Sequence, residues 1–257
     1  MSVTLSTSKR KRPESHKLSV ISVENLTDTS VAVTLAVPPS LREIFDFQPG
    51  QYITFRSVED SGREAHRSYS LCSTPADLHE RGVLRVGVKS IPSGTFSAYA
   101  SEELQPGDTL EVLPPLGTFT TQLRPDSHIG AVIAGSGVTP VLSITAATLQ
   151  LGGRVTLLYS NRTADTVMFS ADLAKLQEQH GERLRVLHVR TREDASHPLL
   201  TGRLDAEKMA GILREFIDVR DVDDWFLCGP FELVVGARES LTAHGAGRIH
   251  TELFYVE

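Results

Sequence analysis

The sequence predicts two domains in series, a small antiparallel β-sandwich or barrel followed by an open parallel α/β sheet. Three observations lead there. A chain of 257 residues is long for one core and comfortable for two. Between residues 18 and 117, short alternating runs are punctuated by Pro, Gly, Asn and Asp, the pattern of short paired strands. After Pro125 the rhythm changes to continuous apolar runs separated by stretches of helical periodicity, the mark of strand and helix in repeated succession. The boundary falls near residues 120–128, giving one domain over 18–122 and a second over 128–257.

The elements follow in order. Residues 1–17 carry the basic run Lys9-Arg10-Lys11-Arg12 among Ser and Thr. A solvated, disordered tail is expected there, the alternative being an address or a contact for an acidic partner. Strands are expected at 18–23, 31–37, 52–58, 67–72, 83–89 and 109–113, six in all, with a single helical interruption after Gly94 over 97–104. Six short strands with turn signals suit a sandwich or small barrel. In the second half, strands at 129–134, 155–159, 184–189 and 225–228 alternate with helices at 140–151, 171–180, 205–216 and 231–243.

Composition narrows the function classes. Hydrophobic content of 40% and charged content of 23% are those of a soluble globular chain. No run approaches the ~18 apolar residues of a membrane span, and the N-terminus lacks the apolar stretch of a signal peptide. A cytoplasmic protein with no membrane partner is expected. A net charge of -6 disfavours a nucleic-acid partner, which would demand a basic face. Two cysteines, Cys72 and Cys228, rule out a disulfide framework and a Cys-rich metal site. A plant-type iron–sulfur cluster needs four thiolates, so no metal and no such cluster is expected on this chain.

Four segments carry chemistry. His66-Arg67-Ser68-Tyr69-Ser70 lies on an expected strand, where alternation sends Arg67 and Tyr69 to one side and Ser70 to the other. Tyr69 offers a flat ring to stack on an isoalloxazine, Arg67 a cation for a diphosphate and Ser70 a hydroxyl for a ring nitrogen. An edge-strand Arg with a packed Tyr is the plainer alternative. Ser93-Gly94-Thr95-Phe96-Ser97 opens the helix of the first half. Free amides and the positive end of the helix dipole make such a start an anion site, and an ordinary capped helix would look the same.

Gly135-Ser136-Gly137-Val138-Thr139-Pro140 follows a buried strand and opens a helix, with Thr139 suited to the N-cap and Pro140 to the first helical position. Pro140 stands where the third glycine of G-x-G-x-x-G would be, yet backbone amides at a first βα turn still suit a pyrophosphate. The second βα turn reads Tyr159-Ser160-Asn161-Arg162. Ser160 and Arg162 favour a ribose bearing a 2′-phosphate, hence NADPH over NADH, the alternative being a solvated loop Arg. Cys228-Gly229-Pro230 ends the apolar run Trp225-Phe226-Leu227 at the carboxyl edge of the sheet, where ligands collect. Gly229 lets a flat ring come close and Cys228 can lie beside a nicotinamide, unless it is only a buried structural thiol.

In this order the four segments resemble the ferredoxin–NADP reductase superfamily over residues 18–257. The resemblance implies a six-stranded antiparallel Greek-key β-barrel that binds FAD, followed by an α/β parallel-sheet domain that binds NAD(P)H. It implies that Arg67, Tyr69 and Ser70 form the flavin motif, that Val88 and Lys89 run beside the adenosine half of FAD, and that Gly94, Thr95, Phe96 and Ser97, with Ser93, meet its diphosphate. The nicotinamide cofactor would use Gly135, Ser136, Gly137, Thr139, Pro140, Ser160, Asn161, Arg162, Cys228, Gly229 and Pro230. His250-Thr251-Glu252-Leu253-Phe254 resembles the closing strand of the family, so that Ser70, Cys228 and Glu252 would surround the hydride path.

The wording of 157–163, 167–169 and 250–254 is most similar to reductase components of bacterial oxygenases. Those carry a C-terminal plant-type ferredoxin domain, whereas this sequence stops at Glu257. Either the sequence is a truncated form, or electrons pass to a separate carrier; in both cases the expected acceptor is a ferredoxin-type iron–sulfur domain or protein, with oxygenase subunits beyond it. Two alternatives are a stand-alone ferredoxin or flavodoxin reductase and a non-catalytic electron-transfer or scaffold subunit.

Overall fold

The computed structural model describes residues 14–58, 64–91 and 94–254. In its first half the alternating runs form β1 (His16–Thr27), β2 (Ser30–Ala36), β3 (Tyr52–Val58), β4 (Glu64–Ser70), β5 (Val83–Lys89) and β6 (Thr109–Leu116). They pair antiparallel in the order β4-β3-β6-β1-β2-β5. Leu71, just past β4, bridges Val86 of β5, and the Cys72 amide donates to the Arg85 carbonyl at 2.8 Å. These bonds join the two ends of the sheet into a six-stranded Greek-key barrel, which removes its exposed edges. Every second residue of the strands points inward, so that Leu18, Val33, Ile53, Phe55, Val86 and Val112 fill the barrel.

Several boundaries differ from expectation for local reasons. β1 begins at His16, inside the stretch read as a tail, because His16 pairs with Val112 and packs edge-on against Phe45 at 5.7 Å. The run Lys9-Arg10-Lys11-Arg12 lies outside the described residues. β6 continues through Pro114 and Pro115 because β1 pairs only with Thr109 to Val112, so the prolines sit beyond that ladder. The helix after Gly94 is not the only one in this half, since Asp77–Arg81 forms a π turn. Its signal is the Thr74-Pro75-Ala76-Asp77 cap, in which the Thr74 amide donates to Asp77 Oδ2 at 2.8 Å and the Asp77 amide to Thr74 Oγ1 at 3.2 Å. The expected helix is α1 (Thr95–Glu102).

The second half runs β7 (His128–Ala134), α2 (Val138–Gln150), β8 (Arg154–Asn161), α3 (Ser170–His180), β9 (Leu184–Arg190), α4 (Ala206–Phe216), β10 (Asp224–Gly229), α5 (Phe231–Ala243) and β11 (Arg248–Leu253). The five strands are parallel, in the order β11-β10-β7-β8-β9. The chain steps outward from β7 to β9 and then returns to the other side of β7. That reversal opens a crevice beyond the carboxyl ends of β7 and β10. Helices α2 and α3 cover one face and α4 and α5 the other. The barrel packs on the α2 side, where Ala32, Cys72 and Phe119 join the core of the α/β domain. Among the described residues no helix is long and apolar enough to cross a membrane.

Candidate functional site

On β4, Arg67 is exposed, Tyr69 is half-buried and Ser70 is buried. The Tyr69 ring lies 5.5 Å from Phe96 and 5.7 Å from Phe55, and Phe55 stacks on Phe96 at 4.8 Å. Phe96 is thus a core residue that anchors the first turn of α1 beside Tyr69. Burial pushes the Tyr69 hydroxyl up to about 12, so the ring is neutral. Gly94 is the N-cap residue of α1 with no side-chain cap, leaving first-turn amides without helical acceptors.

Thr95 is exposed, whereas Ser97 is buried and its hydroxyl donates to the Gly94 carbonyl at 3.1 Å. The side chains of Phe96 and Ser97 are therefore closed to a ligand, leaving the first-turn amides and the Thr95 side chain open. Val88 is fully buried in the barrel core, so its side chain is closed to a ligand as well. Ser93 lies outside the described residues.

The second group gathers at the carboxyl ends of β7 and β10. Gly135–Gly137 forms a 3-10 turn that runs directly into α2. A Cβ on Gly137 would lie 2.2 Å from the Cys228 carbonyl oxygen, so only glycine lets the two loops touch. Thr139 is not the N-cap. The 3-10 turn starts the helix at Val138 with Gly137 capping it, Thr139 is buried with its hydroxyl donating to the Ser136 carbonyl at 2.9 Å, and Pro140 is the third helical residue. The turn is braced from β8 by the Tyr159 hydroxyl, which donates to the Gly135 carbonyl at 2.9 Å.

β8 runs to Asn161, so Ser160 and Asn161 are buried strand residues and Arg162 is the first exposed one. Asn161 Nδ2 is buried without a hydrogen-bond partner. Cys228 and Gly229 end β10, and Pro230 precedes α5 as its exposed N-cap. Lys89 lies toward the α/β domain. Its ammonium lies 3.6 Å from where a Cβ on Gly135 would stand, on the side of the Gly135–Gly137 turn rather than beside Tyr69 and α1. Partial burial, then the guanidinium of Arg162, hold its pKa below the ordinary value. The cause is period two: Val88 points into the barrel and Lys89 out toward the α/β domain.

Between the two groups lies a cleft of ≈ 400 Å³ lined by Tyr52, Gly117, Thr118, Phe119, His250, Thr251 and Glu252. Its walls are tied to both motifs by strand register. Tyr52 pairs with Ser70 across β3 and β4, and Glu252 pairs with Cys228 across β10 and β11. Ser70 and Cys228 lie beside these partners in the sheets and do not themselves line the cleft. Burial raises the Glu252 carboxyl to about 7, and its Oε2 is buried without a partner. Burial first, then the Glu252 carboxylate, push the Cys228 thiol well up, so it is a neutral thiol and no nucleophile.

His250 is stacked on Phe226 at 4.6 Å, with its Nε2 2.8 Å from Asp224 Oδ1, and Arg248 holds the same carboxylate through Nε at 2.8 Å and Nη2 at 2.6 Å. Burial works to raise the Asp224 pKa, but these hydrogen bonds overcome it and leave it below the ordinary value. Tyr52 and Phe119 are not signalled by any motif, and His250 enters only as the first residue of the closing-strand segment. Tyr52 alone could have been found, by running the β3–β4 hairpin register back from Ser70. Among the described residues no group of His, Cys, Asp and Glu could hold a metal ion.

Comparison with known proteins gives consistent matches to both halves. Residues 17–121 match the oxidoreductase FAD-binding domain and residues 132–239 the oxidoreductase NAD-binding domain. The chain is 39% identical, over 93% of its length and 67% of the relative's, to a subunit of the 1,2-phenylacetyl-CoA epoxidase of Escherichia coli (strain K12). It is 34% identical, over 90% of its length and 62% of the relative's, to the ferredoxin reductase component of 3-ketosteroid-9-alpha-monooxygenase from Rhodococcus rhodochrous. The chain thus spans about two thirds of the length of these relatives. Among solved structures, the flavohem-like FAD/NAD-binding domain of nitric oxide dioxygenase from Vibrio cholerae O1 biovar El Tor superposes with a TM-score of 0.77 at 26% identity, covering 94% of this chain and 99% of that one.

Proposed function

This chain belongs to the ferredoxin reductase family of FAD- and NAD-binding oxidoreductases, and from that premise we propose that it moves a hydride from NADPH, or NADH, to FAD and passes electrons singly to an iron–sulfur carrier feeding an oxygenase. The observation that carries this reading is the cleft between Tyr52 and Glu252, the register partners of Ser70 and Cys228. It joins the two motif groups across the seam between the domains. The residues present fit both cofactors: uncapped amides on α1, the Lys89 ammonium beside the Gly135 turn, and an orphaned carboxyl oxygen on Glu252. When bound, FAD accepts the hydride and gives electrons up one at a time.

The protein supplies binding, orientation and a proton store. Tyr69 offers its neutral ring to the flavin, and Arg67 with the α1 amides suits the FAD diphosphate. The amides of Gly135–Gly137 and the ammonium of Lys89 suit the second pyrophosphate, and Ser160 and Arg162 favour the 2′-phosphate of NADPH. Ser70 and Cys228, register neighbours of the cleft-lining Tyr52 and Glu252, are small uncharged groups, and Glu252 holds a proton at its carboxyl near neutral pH. We favour an oxygenase of the phenylacetyl-CoA epoxidase kind, because the Escherichia coli relative belongs to that enzyme. Two buried, unpaired thiols suit a reducing compartment, and we propose the cytoplasm.

The test is reconstitution with FAD, followed by anaerobic mixing with NADPH and, separately, NADH. Flavin bleaching and steady ferricyanide reduction, faster with NADPH, are expected, and Arg162→Ala should narrow the NADPH preference by about tenfold. Failure to retain FAD, or no bleaching by either nucleotide, would overturn the reading.

A further inference from the structure

The outward face of β5 carries Arg85, Gly87 and Lys89 in succession, and each meets the α/β domain. Arg85 Nη1 donates to Asp172 Oδ1 of α3 at 2.5 Å and Nη2 to Glu24 Oε2 of β1 at 3.0 Å, while the guanidinium lies 5.1 Å over the Phe169 ring. A Cβ on Gly87 would stand 2.8 Å from both the Phe169 ring and Thr139 Cγ2, so the missing side chain is the space that admits Phe169. Phe169 is buried and, among the described residues, the one non-glycine with positive φ, at 58°. A bulky residue holds that conformation only when its surroundings impose it, and here Gly87 and Arg85 do so.

Arg85 also grips the strand that carries the flavin motif. Its carbonyl accepts the Cys72 amide at 2.8 Å and the Cys72 thiol at 3.1 Å, two residues beyond Ser70, and its own amide donates to Ser73 Oγ at 3.0 Å. One residue therefore holds the end of β4 through its backbone and the first turn of α3 through its side chain. We propose that Arg85 is a positioning residue for hydride transfer, whose ion pair with Asp172, seated on Phe169, fixes the register of the barrel against the α/β domain. That register sets where Ser70 and Lys89 stand relative to the Gly135 turn and Cys228. The inference rests on the function proposed above and adds a group that touches neither cofactor-binding set.

The experiment uses the full chain with Arg85→Met, Asp172→Asn and the conservative Arg85→Lys. In the FAD-loaded protein the first two should lower kcat for NADPH-dependent flavin reduction by about tenfold or more, leave KM and FAD content within about twofold, and be partly rescued in Arg85→Lys. A second readout needs no cofactor. Spin labels at Glu103→Cys and Glu178→Cys, exposed positions on either side of the seam, should give one narrow distance distribution in the parent and a broad one in Arg85→Met and Asp172→Asn. The native thiols are buried and stay unlabelled. Should Arg85→Met fail to fold, Asp172→Asn, which leaves the barrel untouched, decides the matter alone. A narrow distribution with an undiminished kcat overturns the proposal. A parent that never reduces FAD with NAD(P)H overturns the proposed function instead, and the distances still decide whether Arg85 fixes the seam.

Discussion

At the scale of single residues, Glu252 has the largest consequence. Its carboxyl is lifted from 4.5 to about 7 by burial, so the unfolded chain gives up that proton first. Stability must then fall as pH rises from 4.5 toward about 7 and stay level above it. Glu252→Gln removes the ionisation. Its stability should exceed that of the parent above neutral pH, by an amount on the order of 1–2 kcal/mol after discounting partial exposure. The advantage should shrink to nothing at acid pH. The same substitution should flatten the pH dependence of flavin reduction between about pH 6 and about pH 8. Melting curves and rapid-mixing traces across that range test both, and a Tm difference independent of pH would show that Glu252 titrates normally.

At the scale of elements, the turn Gly135–Gly137 is where sequence and structure agree in substance and differ in detail. The glycines, the preceding buried strand and the following helix are all legible, because turn chemistry and periodicity are written within a few residues. The cap is not. Thr139 and Pro140 suit an N-cap and a first helical position, but the 3-10 turn brings the helix start forward to Val138 and absorbs the Thr139 hydroxyl. Gly137→Ala would force a Cβ to within 2.2 Å of the Cys228 carbonyl oxygen. It should cut NAD(P)H oxidation at least about a hundredfold while FAD stays bound. Steady-state rates beside flavin content check this, and parental kinetics would reduce the turn to a structural role. The opposite lesson comes from Asp77–Arg81, whose reciprocal Thr74–Asp77 cap is written in the sequence although no helix is expected there.

At the scale of the whole molecule, the seam between barrel and α/β domain decides whether the motif groups can cooperate. Besides Arg85, a buried bond crosses it, with Ser143 Oγ of α2 donating to the Ser73 carbonyl at 2.6 Å. Ser143→Ala leaves that carbonyl unpaired and should cost about 1–2 kcal/mol, read as a lower urea midpoint at constant m-value. A midpoint equal to that of the parent would mean the seam relaxes to let water in.

The two-part architecture, the six strands of the barrel, the strand–helix alternation and the chain order of the four motifs can all be read from the sequence alone. All of these follow from apolar periodicity and from Gly and Pro acting on their neighbours. The docked fold, and no local pattern, turns Lys89 toward Gly135, brings Tyr52 and Phe119 into one cleft with Glu252, and buries the side chains of Phe96 and Val88. Those outcomes depend on which way each strand turns its alternate residues once barrel and sheet are docked. Docking is set by contacts among residues far apart in the chain, which no local pattern records.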